Sequence, residues 1–170
     1  WLYLGSIREY WEAHMILLGS RPQIDLKEWK VRSNPDDRSM SDRPPVSCGP
    51  RAFISNALIG DGAVIHGTVI NSVLSPGVVV EEGAVVTDSI IMHDCMICSN
   101  SRVSHCVLDK DVLVGGSSIL GGGGADTPIT ALAKATVVPP RSTIGRGCAL
   151  EMLLSPEDEP IQLHDGESLV

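Results

Sequence analysis

Residues 74–120 read LSPGVVVEEGAVVTDSIIMHDCMICSNSRVSHCVLDKDVLVGGSSIL, and this stretch decides the fold. Aliphatic residues recur in it every 17 positions, in three columns that align without a gap. The columns are Leu74, Ile91 and Leu108; Val80, Ile97 and Val114; and Val86, Val103 and Leu120. Each column begins about six residues after the one before it, so the chain has an internal repeat.

A second set of positions within the repeat is small or compact. These positions lie four residues after the aliphatic columns, at Val78, Cys95 and Val112 and at Ala84, Ser101 and Ser118. A short strand followed by a tight turn every six residues is the hexapeptide pattern of a β-helix with a triangular cross-section. Three such units close one coil, and stacked coils pair each strand with the strand above, which directs the aliphatic columns inward.

The repeat continues in both directions with altered spacing. An earlier coil with a shifted register is visible from Ile59 to Ile65, and a later one from Val138 to Ala149. Four glycines in the segment 121–133 interrupt the repeat and predict a loop that leaves the coil. We therefore place the β-helix at residues 52–150, with a loop insertion at 121–133. The acidic tail at 151–170 either caps the open end or is disordered.

The amino-terminal part has a different pattern. Ile7, Tyr10, Trp11, His14, Met15 and Leu18 share one face of an amphipathic helix. Ser6 is a candidate N-cap and Gly19 a candidate helix stop. Residues 20–51 are interpreted as a linker, extended from Gln23 to Val31 and an exposed loop from Arg32 to Pro45. Because the chain begins at Trp1 within a structured element, we expect it to be part of a longer protein.

Composition excludes several classes of function. The 170 residues carry a net charge of −8, which disfavours binding to nucleic acid or to anionic membranes. No apolar run approaches the ~20 residues that span a bilayer, so we expect a cytoplasmic protein. Five cysteines at irregular spacing do not form a disulfide framework, and we expect free thiols.

Several motifs together resemble the carboxyl-terminal part of the glucose-1-phosphate adenylyltransferases, also called ADP-glucose pyrophosphorylases. The resemblance covers residues 1 to about 120. The matching residues are Trp1-x-x-x-Gly5-Ser-Ile7, Tyr10-Trp-Glu-Ala13, Asp25-Leu26, Pro44-Pro45, Gly67-x-Val-Ile-Asn-Ser-Val-Leu-Ser-Pro-Gly-Val78, Asp88-Ser-Ile-Ile-Met92 and Leu108-Asp-Lys110. The resemblance implies a mainly β fold, a single-stranded left-handed β-helix preceded by one short α-helix and an extended linker.

The resemblance also implies a function. In this family an amino-terminal nucleotidyltransferase domain converts ATP and glucose 1-phosphate into ADP-glucose and pyrophosphate with Mg²⁺, for glycogen or starch synthesis. No glycine-rich nucleotide loop is present in this sequence, so residues 1–19 would be the end of that domain, and the 170 residues should be inactive alone and hold no cofactor. The expected role is regulation and assembly, with the nucleotidyltransferase domain of the same chain as one partner. A homo-oligomer, a tetramer by resemblance, or a mixed oligomer and a sugar-phosphate effector complete the expected partners.

One position departs from the family pattern. The family motif before the helix places a metal-binding aspartate where this chain has Tyr3. A phenol cannot replace an ionised carboxylate as a ligand for a hard cation at neutral pH. We therefore hypothesise that the parent protein is a catalytically weakened, regulatory-type homologue.

Lys110 matches the position at which family members present a cation to phosphate-bearing effectors. An ammonium on a turn is a reasonable phosphate partner, although lysine acts there as a point charge. The alternative interpretation of Lys110 is an ordinary solvated turn residue.

Three other candidate sites are weaker. Zinc binding by Cys95 and Cys98, with His93, His105 and Cys106 nearby in sequence, is disfavoured because coil geometry makes the two thiols diverge. His66 raises the alternative of a hexapeptide-repeat acyltransferase, which uses a histidine as general base, and a mannose-1-phosphate guanylyltransferase is a further alternative. The run Gly121 to Gly124 could cradle phosphate, but without a following helix or lysine a flexible loop is the better interpretation.

Overall fold

The computed structural model describes residues 2–26, 28–30, 43–124, 126–151 and 155–169. The described helix is α1 (Ile7–Met15). The first strands are β1 (Ser47–Cys48), β2 (Phe53–Ile59), β3 (Val64–Ile65), β4 (Thr68–Leu74), β5 (Val79–Val80), β6 (Val85–Thr87), β7 (Ile90–Ile91), β8 (Met96–Ile97) and β9 (Arg102–Ser104). The remaining strands are β10 (Cys106–Leu108), β11 (Leu113–Val114), β12 (Ile119–Gly121), β13 (Thr130–Leu132), β14 (Val137–Val138), β15 (Thr143–Ile144), β16 (Ala149–Leu150), β17 (Gln162–Leu163) and β18 (Ser168–Leu169).

The strands stack into a β-solenoid in the predicted register. Leu74 pairs with Ile91 and Ile91 with Leu108, and the other two aliphatic columns pair in the same way. All pairs are parallel. A six-stranded sheet in the order β1-β3-β5-β8-β11-β14 forms one side, and a second sheet in the order β17-β15-β12-β9-β6-β4-β7-β10-β13-β16-β18 bends round a corner to form the other two. The fold is thus mainly β, a left-handed β-helix of the hexapeptide type, as predicted.

The core is the set of inward columns. The nine aliphatic residues that define the repeat are each at most 2% exposed, and the compact positions between them are at most 1% exposed. Because parallel strands lie about 4.8 Å apart, each side chain contacts its equivalent in the next coil. The core is therefore one continuous aliphatic column, and the predicted columns are confirmed.

The coil that contains β3 and β4 is two residues shorter than the 17-residue repeat, which confirms the shifted register predicted there. Ile59 pairs with Leu74 and Ile65 with Val80, offsets of 15 residues. The chain turns tightly at Gly67, where an added Cβ would lie 2.4 Å from the carbonyl oxygen of Ala84. Glycine is needed at this position because backbone from the next coil occupies the space of a side chain.

The insertion is narrower than the predicted segment 121–133. Gly121 still belongs to β12 and pairs with Ser104, and β13 already begins at Thr130, which pairs with Cys106. The loop therefore spans residues 122–129. The prediction was wrong at its edges because Gly121 and residues 130–132 keep the hydrogen bonds of the sheet.

Both ends of the β-helix extend beyond the predicted limits of 52 and 150. β1, within the predicted linker, pairs with β3, and β17 and β18, within the predicted acidic tail, pair with β15 and β16. Leu163 and Leu169 pack against the core. Two inward leucines thus continue the coil through a segment whose formally charged residues are all acidic.

The amino-terminal elements also differ in detail. The side chain of Ser6 caps α1 by accepting from the amide of Glu9, as predicted, but the helix ends at Met15 rather than Leu18. The amides of Leu17 and Leu18 bond to carbonyls three residues back, which tightens the last turn. In the segment predicted as extended, the amide of Trp29 bonds to the carbonyl of Asp25 and forms a turn. Most of the predicted loop from Arg32 to Pro45, and Trp1, lie outside the described residues.

Helix α1 lies along one corner of the solenoid. At this corner Asn71, Asp88 and His105 occupy equivalent positions in successive coils, with φ of 47°, 49° and 55°. Asparagine and aspartate tolerate this left-handed conformation better than most residues. Trp11 of α1 packs against Ile90, Val107 and Ile129, so the helix covers part of the outer face of β7 and β10.

Two further observations concern the cysteines and the possibility of a membrane-spanning helix. All five cysteines, each within the described residues, are free, as predicted. Among the described residues, no helix is both long enough and apolar enough to cross a membrane.

Candidate functional site

Lys110 lies on the turn that connects β10 to β11. The carboxylate of Asp109 accepts from the amide of Lys110 at 2.7 Å, and the Lys110 carbonyl accepts from the amide of Ala135 in the next coil at 2.8 Å. Asp111 completes the turn with a φ of 62°. These backbone bonds fix the turn, and the Lys110 side chain is exposed.

The neighbouring charges on this corner pair with each other. Arg43 forms a bidentate contact with Asp94, at 2.7 and 2.9 Å, and Lys134 approaches Asp111 at 3.8 Å. Hydrogen bonding to Arg43 holds the pKa of the Asp94 carboxyl below its ordinary value. Within the described part of the chain, the Lys110 ammonium has no ion pair, so it is available to an anionic ligand.

A groove of about 360 Å³ lies beside this corner, between α1 and the outer face of the solenoid. Its lining is mainly apolar and includes Ile7 and Tyr10 from the helix and Val107, Ala131 and Ala149 from the sheet, with Asp109 and Glu151 among the lining residues. The outer face is lined here by alanines, which leaves the groove open next to the helix.

Asp109 links the Lys110 turn to the groove. It bonds to the Lys110 amide and also lines the groove with Tyr10. Burial, and next the negative charge of Asp109, raise the pKa of the Tyr10 hydroxyl. The phenol therefore stays protonated at neutral pH and can donate a hydrogen bond.

The residues considered for zinc do not form one site. The Cys95 side chain points into the core, and its thiol lies 3.0 Å from the carbonyl oxygen of Asp109, while burial raises its pKa to about 12. Cys106 is buried with a pKa raised to about 12 by the same cause. Cys98 lies at a different corner and His105 beneath α1. The described residues include no group of three potential ligands that could hold a metal.

His66 and the glycine run complete the predicted candidates. His66 is exposed directly after β3, with its ring so close to Gly49 that an added Cβ there would lie 2.5 Å from Nδ1. In the loop, the amide of Gly122 bonds to Ser104 and the amide of Thr127 to Gly124. The amide of Gly122 is therefore used within the chain and is not free to bind a phosphate.

Comparison with known proteins places this geometry in a family. Residues 46–127 match the family described as GlmU-like, C-terminal hexapeptide. A curated glucose-1-phosphate adenylyltransferase from Acetivibrio thermocellus is 32% identical over 94% of this chain and 39% of its own length. The chain belongs to the glucose-1-phosphate adenylyltransferase family.

Other curated glucose-1-phosphate adenylyltransferases agree with this assignment. The enzyme from Corynebacterium diphtheriae is 36% identical over 71% of this chain and 28% of its own length. The one from Bacillus thuringiensis is 32% identical over 71% of this chain and 31% of its own length. The chain thus spans roughly a third of the length of these relatives.

The similarity to solved structures is weak. The acetyltransferase domain of PglB from Neisseria gonorrhoeae aligns over 74% of this chain and 54% of that chain, with 26% identity and a TM-score of 0.35. A score of this size supports no argument about the function of a glucose-1-phosphate adenylyltransferase homologue.

Tyr3 lies where the resemblance to glucose-1-phosphate adenylyltransferases implies a metal-binding aspartate. Its side chain is 71% exposed, folds over Gly5, and lines a shallow depression with Glu9 and Glu12 of α1. A neutral phenol in solvent is a poor Mg²⁺ ligand. Tyr3 and its surroundings therefore do not fit a magnesium site.

Two features of this member of the glucose-1-phosphate adenylyltransferase family were not predicted from the sequence. One is the groove that Tyr10 and Asp109 share, for which the sequence carries no signal because α1 and β10 are distant in the chain. The other is the corner at Asn56, Asn71 and Asp88 beneath α1. Their spacing of 15 and 17 residues matches the coil offsets and is a signal that could have identified the corner.

Proposed function

We propose that this chain is the regulatory and oligomerisation domain of a glucose-1-phosphate adenylyltransferase. The parent protein would convert ATP and glucose 1-phosphate into ADP-glucose and pyrophosphate in glycogen or starch synthesis, with Mg²⁺ held by its amino-terminal domain. The observation that carries the proposal is the match of curated glucose-1-phosphate adenylyltransferases to 94% of this chain at 32% identity. The 170 residues alone would be inactive.

The proposed effector site is the Lys110 turn. Its support is an exposed ammonium with no ion pair among the described residues, beside a groove that reaches α1. A phosphate group on a sugar-phosphate effector would bind the ammonium as a point charge. The helix on the other side of the groove would then respond to occupancy of the site.

The proposed weakening of catalysis rests on Tyr3. We would measure ADP-glucose formation by the parent protein with Tyr3 and with Tyr3→Asp, in Mg²⁺, ATP and glucose 1-phosphate. Restored turnover in Tyr3→Asp supports a regulatory-type subunit. Normal turnover with Tyr3 removes the weakening but keeps the enzyme, and no turnover in either form contradicts the nucleotidyltransferase proposal.

A matched pair of variants tests the effector site. Lys110→Ala should abolish the thermal stabilisation of the chain by fructose 1,6-bisphosphate. Lys134→Ala should leave it intact, because Lys134 lies one coil away but is paired with Asp111. Equal loss in both variants would contradict a role specific to Lys110. Stabilisation by acetyl coenzyme A instead of the sugar phosphate would favour the acyltransferase alternative.

Oligomerisation has a structural candidate of its own. The outward positions of the six-stranded sheet form an apolar row in register, Val64, Val79, Met96, Leu113 and Val137. Exposed apolar rows of this kind favour protein association. Met96 is 39% exposed at the middle of the row, so Met96→Asp should lower the association constant in sedimentation equilibrium. An unchanged constant would exclude this face as the interface.

A further inference from the structure

The loop at residues 122–129 replaces a corner that elsewhere needs one residue. Ser104 and Cys106 flank the single residue His105, whereas their partners Gly121 and Thr130 flank eight residues. The coils on both sides of the loop keep their register, since Val114 pairs with Val138 and Leu120 with Ile144. The loop is therefore an addition to a solenoid that does not require it for strand pairing.

The loop is folded on itself. Thr127 donates both its amide and its hydroxyl to the carbonyl of Gly124, at 3.0 and 2.6 Å. Gly122 and Gly123 have φ of 117° and 96°, a region that side chains other than glycine rarely adopt. Pro128 lies against Gly147 of the following coil, where an added Cβ would be 2.6 Å from the proline. Thr127 is thus bonded to Gly124, and Pro128 rests on the next corner.

The Thr127 carbonyl is the point where the loop meets the helix. The guanidinium of Arg8, in the first turn of α1, donates to this oxygen at 2.8 Å. Nε2 of the buried His105 lies 3.0 Å from the same oxygen. The His105 ring in turn makes an edge contact with Trp11, with the ring centroids 4.7 Å apart. Side chains from the helix and from the solenoid therefore converge on one loop carbonyl.

The carboxyl end of the loop adds an apolar contact. Ile129 is 6% exposed and belongs to the cluster around Trp11. The opposite end of the helix has a separate attachment, since the amide of Gly19 donates to the side chain of Asn56 at 2.7 Å. The loop thus provides the attachment at the amino-terminal end of the helix, and the Gly19 bond attaches the segment that follows the helix.

We propose that the loop, through its described residues 126–129, acts as a strap that holds the amino-terminal half of α1 on the solenoid, with Arg8 and His105 as positioning residues. A nine-residue helix is too short to be stable in water by itself, so its order depends on these contacts. Release of the strap frees the first turns of α1 together with the exposed residues 2–6 that precede it. This inference goes beyond the proposed function and does not depend on it.

The first test removes the strap. Residues 122–129 are replaced by one asparagine, which restores the one-residue corner found at Asn71. Hydrogen–deuterium exchange of the 170-residue chain should then be about tenfold or more faster for the hydrogen-bonded amides of Tyr10 and Trp11, with no change in β5 and β8. Helix amides that exchange at the original rate, in a chain whose solenoid amides remain protected, would overturn the proposal.

The second test separates the Arg8–Thr127 hydrogen bond from the apolar contact of Ile129. It also tests the strap if the shortened chain fails to fold. Arg8→Met should accelerate exchange at Tyr10, Trp11 and Thr127 together, by about fivefold, and Arg8→Lys should restore part of the protection. Arg21→Met is the control, because Arg21 is exposed beyond the end of the helix. Acceleration of equal size in the control, or none in Arg8→Met, contradicts the role of Arg8.

Discussion

The indole N–H of Trp11 donates to the main-chain carbonyl of Asp88 at 2.7 Å. This bond joins the amphipathic helix to a corner residue 77 positions later in the chain. The side chain of Asp88 continues the contact along the solenoid, because Oδ1 accepts from the amide of Asn71 at 2.6 Å. Asn71 accepts in turn from Asn56 at 2.7 Å. The helix is therefore docked on a ladder of hydrogen-bonded side chains that crosses three coils.

Two substitutions of Trp11 should separate the contributions of its hydrogen bond and of its ring to the free energy of unfolding. Trp11→Phe keeps most of the ring burial but loses the donor to Asp88, which should lower the free energy of unfolding by about 1 kcal/mol. Trp11→Ala also removes the apolar contact with Ile90 and Val107 and should cost about 3–5 kcal/mol. Urea unfolding followed by circular dichroism measures both. Equal costs for the two variants would show that the hydrogen bond, not the ring, dominates the docking.

Truncation of two neighbouring residues of β8 should change the free energy of unfolding by very different amounts. Ile97 is fully buried, whereas Met96 next to it points outward and is 39% exposed. Ile97→Ala leaves a cavity in a core that cannot collapse easily between paired strands, and should cost about 2–5 kcal/mol. Met96→Ala should change the free energy of unfolding by about 0.5 kcal/mol or less. Denaturant midpoints that do not separate the two variants would contradict the inward column.

The short connection from β3 to β4 makes Gly67 sensitive to any side chain. An added Cβ would lie 2.4 Å from the carbonyl oxygen of Ala84 and 2.6 Å from that of Glu81. Gly67→Ala should therefore destabilise the chain by about 2 kcal/mol, since backbone must move to admit the methyl group. Gly124→Ala is the matched control, because an added Cβ there has no atom of the described residues within 4 Å. A lower unfolding temperature for Gly124→Ala than for Gly67→Ala would contradict the steric argument.

Alkaline pH should destabilise the fold through its buried thiols. Burial raises the pKa of Cys95 and of Cys106 from 9.0 to about 12, so between these values the unfolded chain loses protons that the folded chain keeps. The free energy of unfolding should fall with rising pH in this window, by about 1.4 kcal/mol per pH unit for each thiol. Below pH 9 the two thiols have no such effect.

Variants isolate the thiols from other groups that titrate at high pH. Cys106→Ala should reduce the slope of urea midpoint against pH between pH 9 and 10.5, whereas Cys48→Ala should not, because Cys48 is exposed. A slope that is the same in the parent and in Cys106→Ala would show that Cys106 does not contribute to the alkaline transition.

The repeat itself was predictable because its physics is local and periodic. An inward aliphatic residue every sixth position, as at Val80 and Val86, gives both the strand spacing and the inward direction. The offset of 17 residues then gives the register of stacking, which the pairs Val80–Ile97 and Val86–Val103 follow. The turn position of Lys110 follows from the same count.

The ends of the solenoid were harder to predict, because the inward positions of the last coil lie among acidic residues. Leu163 and Leu169 are six residues apart, as the repeat requires, but they are embedded in an acidic segment. They continue the coil because β15 and β16 offer unpaired edges on which the next strands add. The acidic composition of residues 151–170 therefore predicted a tail where the structure has a final coil.

The sequence by itself determined the β-helix, its register, the amphipathic helix and the family resemblance, because each depends on residues close in the chain or on a fixed period. Only the tertiary structure decided where the helix lies, which residues line the groove between Tyr10 and Asp109, and that Arg8 and His105 meet at Thr127. These contacts join segments separated by 22 to 119 positions, and they depend on how the outer faces of the coil are shaped. No periodicity in the sequence specifies that shape.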